Sequence, residues 1–215
     1  MTGKLFIISA PSGAGKTSLA RALIENVSNA QMSVSHTTRP RRSGEVDGKD
    51  YFFVSEAEFL QMVEDGVFLE NAQVYGNYYG TSRLAVEEML NNGIHVLLDI
   101  DWQGARLVRE QMPNAVSISI LPPSVEELER RLRSRGSDSD AVIDSRMQQA
   151  FDEMQHCEES DFRVLNDDFN EALRDLTLIL SGESDRIRPL TLDLAELLAI
   201  PVSYTHLTLP TICSV

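Results

Sequence analysis

Cysteine is scarce in this chain, with Cys157 and Cys213 the only two, and they form neither a disulfide framework nor a CxxC pair. The four histidines show no HExxH spacing, so a structural zinc site is not expected. Positive charge is also short: 19 Lys and Arg stand against 33 Asp and Glu, a formal net charge of −14. A general nucleic-acid binder would carry a basic field that releases counterions from the phosphate backbone, so that class is disfavoured. No apolar run approaches the roughly 20 residues that a membrane helix needs. The run from Leu5 to Ala10 is too short for a signal h-region and reads as a buried strand. These absences place the chain among cytoplasmic proteins without disulfides, zinc or a membrane segment. With 215 residues, 42% hydrophobic and 24% charged, it has the makings of one core, or of one core with insertions.

What is present begins at Ala10-Pro11-Ser12-Gly13-Ala14-Gly15-Lys16-Thr17, directly behind Leu5-Phe6-Ile7-Ile8. Glycines let consecutive N–H groups turn inward around phosphate oxygens, and the next helix offers its positive end. Lys16 adds a cation for the outer phosphates, and Thr17 a hydroxyl for Mg2+. Ala10 stands where the G-x-x-x-x-G-K-[ST] pattern has its first glycine. The amphipathic stretch Leu19, Leu23, Ile24, Val27 supplies the helix that the pattern requires.

Arginines outnumber lysines 16 to 3 and cluster at Arg39, Arg41, Arg42 and at Arg130, Arg131, Arg133, Arg135. Their planar forks suit bidentate contact with small phosphorylated ligands, although Arg130 and Arg133 read as the solvated face of a helix. Apolar runs at Leu5 to Ser9, Ile94 to Asp99, Ala115 to Leu121 and Phe162 to Leu165 alternate with helical patterns. That rhythm predicts a parallel α/β sheet. Ser55 with Glu58 and Ser124 with Glu127 are capping boxes, and Gly93 closes a helix over 82–91. Between Ser33 and Gly80 short alternating runs such as Tyr51-Phe52-Phe53-Val54 predict a strand-rich insertion. Ser124 to Glu158 reads as a second insertion, helical and rich in arginine. Asp99 ends an apolar strand as a Walker-B carboxylate does, and His95 inside that strand reads as structural.

The set APSGAGKT, VSHTTRPRRSGEVDGKDYFFV, FLENAQVYGNYYGTS, LLDIDWQG and RRLRSRG, with a later Arg146, resembles the guanylate kinase family over about residues 4 to 180. The resemblance implies an α/β, P-loop NTPase fold with a central parallel sheet, a small mixed α/β GMP-binding insertion and a helical lid. It implies transfer of the γ-phosphoryl of ATP to GMP, and by extension dGMP, with Mg2+ as cofactor. ATP would lie on Ala10 to Thr17. Ser35, Glu70, Thr81 and Asp101 would read the guanine edge, where a carboxylate can accept from N1–H and the exocyclic amino group. Arg39, Arg42, Tyr51 and Tyr79 would hold the GMP phosphate, leaving Arg41, Tyr75 and Tyr78 to surface charge or packing. Thr17 and Asp99 would serve Mg2+, directly or through water, and Lys16, Arg131, Arg135 and Arg146 would act on the transferring phosphoryl group. The segment Val164 to Asp168 is similar to the family's stretch near the adenine.

The implied division is a P-loop core at 1–34, 84–123 and 159–185, a GMP-binding region at 35–83, a lid at 124–158 and a C-terminal helix at 186–200. Residues 201–215 alternate Thr and apolar residues without a partner strand and read as a disordered or non-native tail, or else as an edge strand. Two other classes stay open: a catalytically silent module that binds peptides, and a kinase for a different small acceptor. The intact Lys16 and Thr17 argue against the first, and the guanine-reading set against the second. The expected partners are therefore ATP and GMP, with neither nucleic acid nor membrane.

Overall fold

The computed structural model describes residues 2–74, 76–134 and 139–199. The expectations for Tyr75, Arg135 and the 201–215 tail with Cys213 lie outside them. In chain order the elements are β1 (Leu5–Ser9), α1 (Lys16–Asn26), β2 (Ala30–Met32), β3 (His36–Thr37), β4 (Phe52–Phe53), α2 (Glu56–Glu64), β5 (Phe68–Val74), β6 (Asn77–Ser82), α3 (Arg83–Asn91), β7 (His95–Asp99), α4 (Trp102–Gln111), β8 (Val116–Leu121), α5 (Val125–Arg133), α6 (Asp140–Gln155), β9 (Phe162–Leu165), α7 (Phe169–Leu180) and α8 (Leu194–Leu198). The chain divides into two compact units, 1–8 with 20–117 and 9–19 with 118–215.

In the first unit β1, β7 and β2 are parallel neighbours, with Leu5 opposite Val96, Ile8 opposite Asp99 and Ala30 opposite His95. Both faces of β1 are buried, which is why its sequence is apolar without alternation. Leu5, Ile7, Val96 and Leu98 share one core with Leu69, Val86 and Val108. His95 is structural: its Nδ1 accepts the Lys4 amide at 2.9 Å and its ring meets Phe6 edge-on. The strand before the Walker-B-like carboxylate starts at His95, one residue later than the apolar run. Ile94 is instead used to end α3, donating to Met89 O while Gly93, at φ +79°, donates to Leu90 O.

The strand-rich insertion forms its own sheet in the order β4-β3-β6-β5, in which β5 and β6 are an antiparallel pair. Phe59 of α2 stacks on Phe68 and Tyr78, with centroids 4.7 and 5.5 Å away. Gly80 lies beneath these rings, where an added Cβ would meet Phe68 at 2.9 Å and Phe59 at 3.0 Å. Ser55 caps α2 by accepting the Glu58 amide.

In the second unit β8 and β9 are parallel, with Ile118 opposite Phe162 and Leu121 opposite Leu165. Ser124 caps α5 by accepting the Glu127 amide, and the helix buries Val125, Leu128 and Leu132. Helix α6 buries Ile143, Met147, Phe151 and Met154, and α7 buries Leu176, Ile179 and Leu180. The terminal helix is shorter than the 186–200 expected from sequence. Asp193 accepts the Ala195 and Glu196 amides, so α8 starts only at Leu194. Among the described residues no helix is long and apolar enough to cross a membrane.

Candidate active site

The loop from Ala10 to Gly15 joins β1 to α1 and is held within the second unit. Gly13 and Gly15 have φ of +96° and +95°, a backbone region open to glycine and strained for other residues. Space forbids substitution as well: a Cβ on Gly13 would press on Leu128 and Leu132 at 3.1 Å, and one on Gly15 would lie 2.5 Å from Asn166 Nδ2. Ala14 N donates to Pro11 O at 3.0 Å, tightening the turn, and Asn166 Nδ2 donates to Ala14 O at 2.6 Å. Ala10, at the position of the usual first glycine, is buried. Lys16 and Thr17 open α1, whose first turn has no acidic residue to compete for its amides.

Arg131, on α5, meets the same asparagine. Its Nη2 donates to Asn166 O at 3.1 Å and its Nε to Glu127 at 2.7 Å. Hydrogen bonds from Arg130 and then Arg131 hold the Glu127 carboxyl at a pKa of about 2. Arg130 and Arg133 are exposed and paired with neighbouring carboxylates, as their surface reading requires. Arg146 lies on α6 and is partly exposed. Lys16, Thr17 and Arg131 thus fall in one unit, with Asn166 tying the loop to Arg131.

Ser35, Glu70, Thr81 and Asp101, expected from sequence to read a guanine edge, lie in the first unit. Glu70, on β5, is 6% exposed, and Thr81 Oγ1 on β6 donates to its Oε1 at 2.5 Å. Ser35 Oγ lies 3.4 Å from Thr81 Oγ1; with the Thr81 proton committed to Glu70, Ser35 is the donor. Burial pushes the Glu70 carboxyl up to about 6, the Thr81 hydrogen bond opposing and the Asp101 charge adding to the shift. Asp101 caps α4 by accepting the Gly104 amide at 2.8 Å. Gly104 is close-packed here, since a Cβ on it would come 3.4 Å from Glu70 Oε2.

Arg39, Tyr51 and Tyr79 converge a short way along the same sheet. The Arg39 guanidinium lies over the Tyr51 ring at 5.5 Å, and the two tyrosine rings meet edge-on at 6.0 Å. Burial first, and then the Asp99 charge, push the Tyr51 phenol above its ordinary value. Glu45, not singled out from sequence, binds Arg39 Nη2 through Oε1 and the Arg42 amide through Oε2, each at 2.7 Å. An acidic residue inside an arginine-rich loop was the available signal for it. Arg42 itself is exposed, as is Asp99 at the C-terminal end of β7.

Thr17 and Asp99 offer hydroxyl and carboxylate oxygens, the hard donors that Mg2+ takes. No group of three or more His, Cys, Asp or Glu could hold a metal among the described residues, so phosphate oxygens and water would complete the coordination.

A strand, a glycine loop with its lysine and a parallel sheet define a P-loop NTPase fold. The guanylate kinase family model matches residues 2–183. Guanylate kinases of Yersinia pestis (biovar Antiqua, strain Antiqua) and Escherichia coli (strain K12) are 57% and 56% identical over 187 residues, covering 86% of this chain and 90% of each relative. A crystal structure of guanylate kinase from Anaplasma phagocytophilum superposes with a TM-score of 0.70 at 39% identity, covering 85% of this chain and 87% of that one. The chain belongs to the guanylate kinase family and is a kinase.

Proposed function

We propose that the chain transfers the γ-phosphoryl of ATP to GMP, and to dGMP, giving ADP and GDP. The observation that carries this reading is the buried Glu70 carboxylate, braced by Thr81 and neighboured by Ser35 and Asp101. Such a group accepts from guanine N1–H and the exocyclic amino group, whereas adenine has no donor at N1 to satisfy it. Leaving it unpaired costs about 1–3 kcal/mol.

Arg39, Arg42, Tyr51 and Tyr79 hold the acceptor phosphate, two forks and two phenols around one dianion. An oxygen of that phosphate attacks the γ-phosphorus as the bond to the ADP oxygen breaks. Catalysis then consists of alignment and of cations placed where charge spreads, the roles of Lys16, Arg131, Arg135 and Arg146. Thr17 and Asp99, directly or through water, would hold Mg2+, which when bound neutralises charge on the transferring phosphates. Residues 35–83 form the GMP-binding region and 124–158 the lid, which excludes water while closed and releases products on opening. The buried, unpaired Cys157 thiol suits the reducing cytoplasm to which we assign the reaction.

The test is an ADP-release assay with Mg-ATP and separate acceptors GMP, dGMP, AMP, CMP and UMP. Strong preference for GMP and dGMP is the expected outcome. Preference for AMP overturns the role of Glu70, and no turnover by folded protein points to the silent binding module.

A further inference from the structure

The turn between β9 and α7 is gripped from the C-terminal side by one residue. Arg188 Nη2 donates to Leu165 O at 3.0 Å and its Nη1 to Asp167 Oδ1 at 3.1 Å, so the residues on either side of Asn166 are both held. Its Nε donates to Asp175 Oδ2 at 2.7 Å and its amide to Asp175 Oδ1 at 3.1 Å. Asp175, on α7, is 3% exposed and anchors the guanidinium. Asn166 in turn spends its amide on Leu121 O, its Nδ2 on Ala14 O in the phosphate loop and its carbonyl on Arg131. The network runs from Arg188 through Asn166 to the loop and to Arg131. Arg188 lies beyond the residues that the family model matches.

We propose that Arg188 is a positioning residue for the donor nucleotide, fixing the turn so that Asn166 holds both the phosphate loop and Arg131. One planar guanidinium reaches three acceptors on β9, the turn and α7; a lysine ammonium could keep the charge on Asp175 but not the fork. The inference rests on the phosphoryl-transfer reading above, and it predicts an effect on ATP that spares GMP.

The experiment compares the full chain with Arg188→Lys and with the double variant Arg188→Gln, Asp175→Asn. The double variant leaves no uncompensated carboxylate in the interior. KM is measured for ATP and GMP separately, with the Kd of a non-hydrolysable ATP analogue and the melting curve. In the double variant the KM ratio of ATP to GMP and the analogue Kd rise about tenfold, the scale on which a small misplacement acts. In Arg188→Lys melting is largely restored and ATP affinity is not, which a purely structural ion pair would not produce. A KM ratio and a Kd within twofold of the unsubstituted chain overturn the proposal, and if the double variant does not fold, Arg188→Lys is judged by the same limit. If the unsubstituted chain fails to phosphorylate GMP, the underlying reading is what fails, and the analogue Kd alone decides the clamp.

Discussion

The cluster proposed to read guanine and the glycine loop are held by different means. In the first, side chains from neighbouring strands do the work: Glu70 and Thr81 face each other across the β5–β6 pair, and the state of Glu70 is set by burial. In the second, main-chain geometry does it, through two glycines at positive φ and a distant amide side chain on Ala14 O. A site made of ionisable side chains is tuned by pH, whereas one made of backbone dipoles is not. Discrimination between acceptors should therefore depend on pH, and the grip on ATP phosphates much less.

The sharpest break in that comparison is at the one charged member of the loop. Lys16→Ala lowers kcat by about a thousandfold, the scale of a lost cation in phosphoryl transfer, with the GMP Kd and melting temperature unchanged. Single-turnover kinetics and calorimetry check this, and a matching loss of GMP affinity would merge the two regions into one. Next, Glu70→Gln lowers kcat/KM for GMP by roughly 10- to 100-fold, as one unmet guanine contact implies, and leaves KM for ATP within about twofold. Equal losses for both substrates would contradict the assigned role.

The pH dependence of stability sharpens the same contrast. The folded Glu70 carboxyl has a pKa of about 6 against an ordinary 4.5. Between those values the folded state binds more protons than the unfolded one, so stability falls as pH rises through the window. Above it the penalty is complete, about 2 kcal/mol at most. Denaturant unfolding from pH 4 to 8 without nucleotide should show Glu70→Gln gaining on the unsubstituted chain across that window. In activity the sign reverses: the guanine edge needs the carboxylate, so kcat/KM for GMP climbs through a pKa near 6. The GMP phosphate also titrates near there, and only the Glu70 component disappears in Glu70→Gln. The smallest effect is Tyr79→Phe, where loss of one phenol donor raises KM for GMP by about fivefold, the equivalent of one hydrogen bond.

Most elements were legible wherever local chemistry decides. Strand β1 is buried on both faces and has matching apolar bounds, and Ser55, Ser124 and Gly93 mark helix ends because caps are satisfied within a few residues. The extent of α8 was not, because Asp193 took the cap that the apolar pattern left unassigned. In the acceptor cluster the residue types and their order were readable; the hold of Glu45 on Arg39 was not, since ion pairing leaves no periodic trace. Asn166 was read only as part of the Val164 to Asp168 stretch, and its hold on the phosphate loop escaped notice for a stronger reason: that partner is 152 residues away in the chain, a distance at which spacing carries no information.

That separation has a consequence for synthesis. Leaving the ribosome long before residue 118, residues 9–19 belong to a compact unit whose remaining members begin there. The strands that bear Glu70 and Thr81, with Ser35 just before β3, can come together while the chain is still tethered, because their contacts close over 46 residues or fewer. The phosphate loop must wait, unpinned, until Asn166 has been added and has cleared the exit tunnel. A nascent chain can thus assemble the strands that bear Glu70 and Thr81 well before its phosphate loop is fastened, so an early segment is among the later ones to be finished.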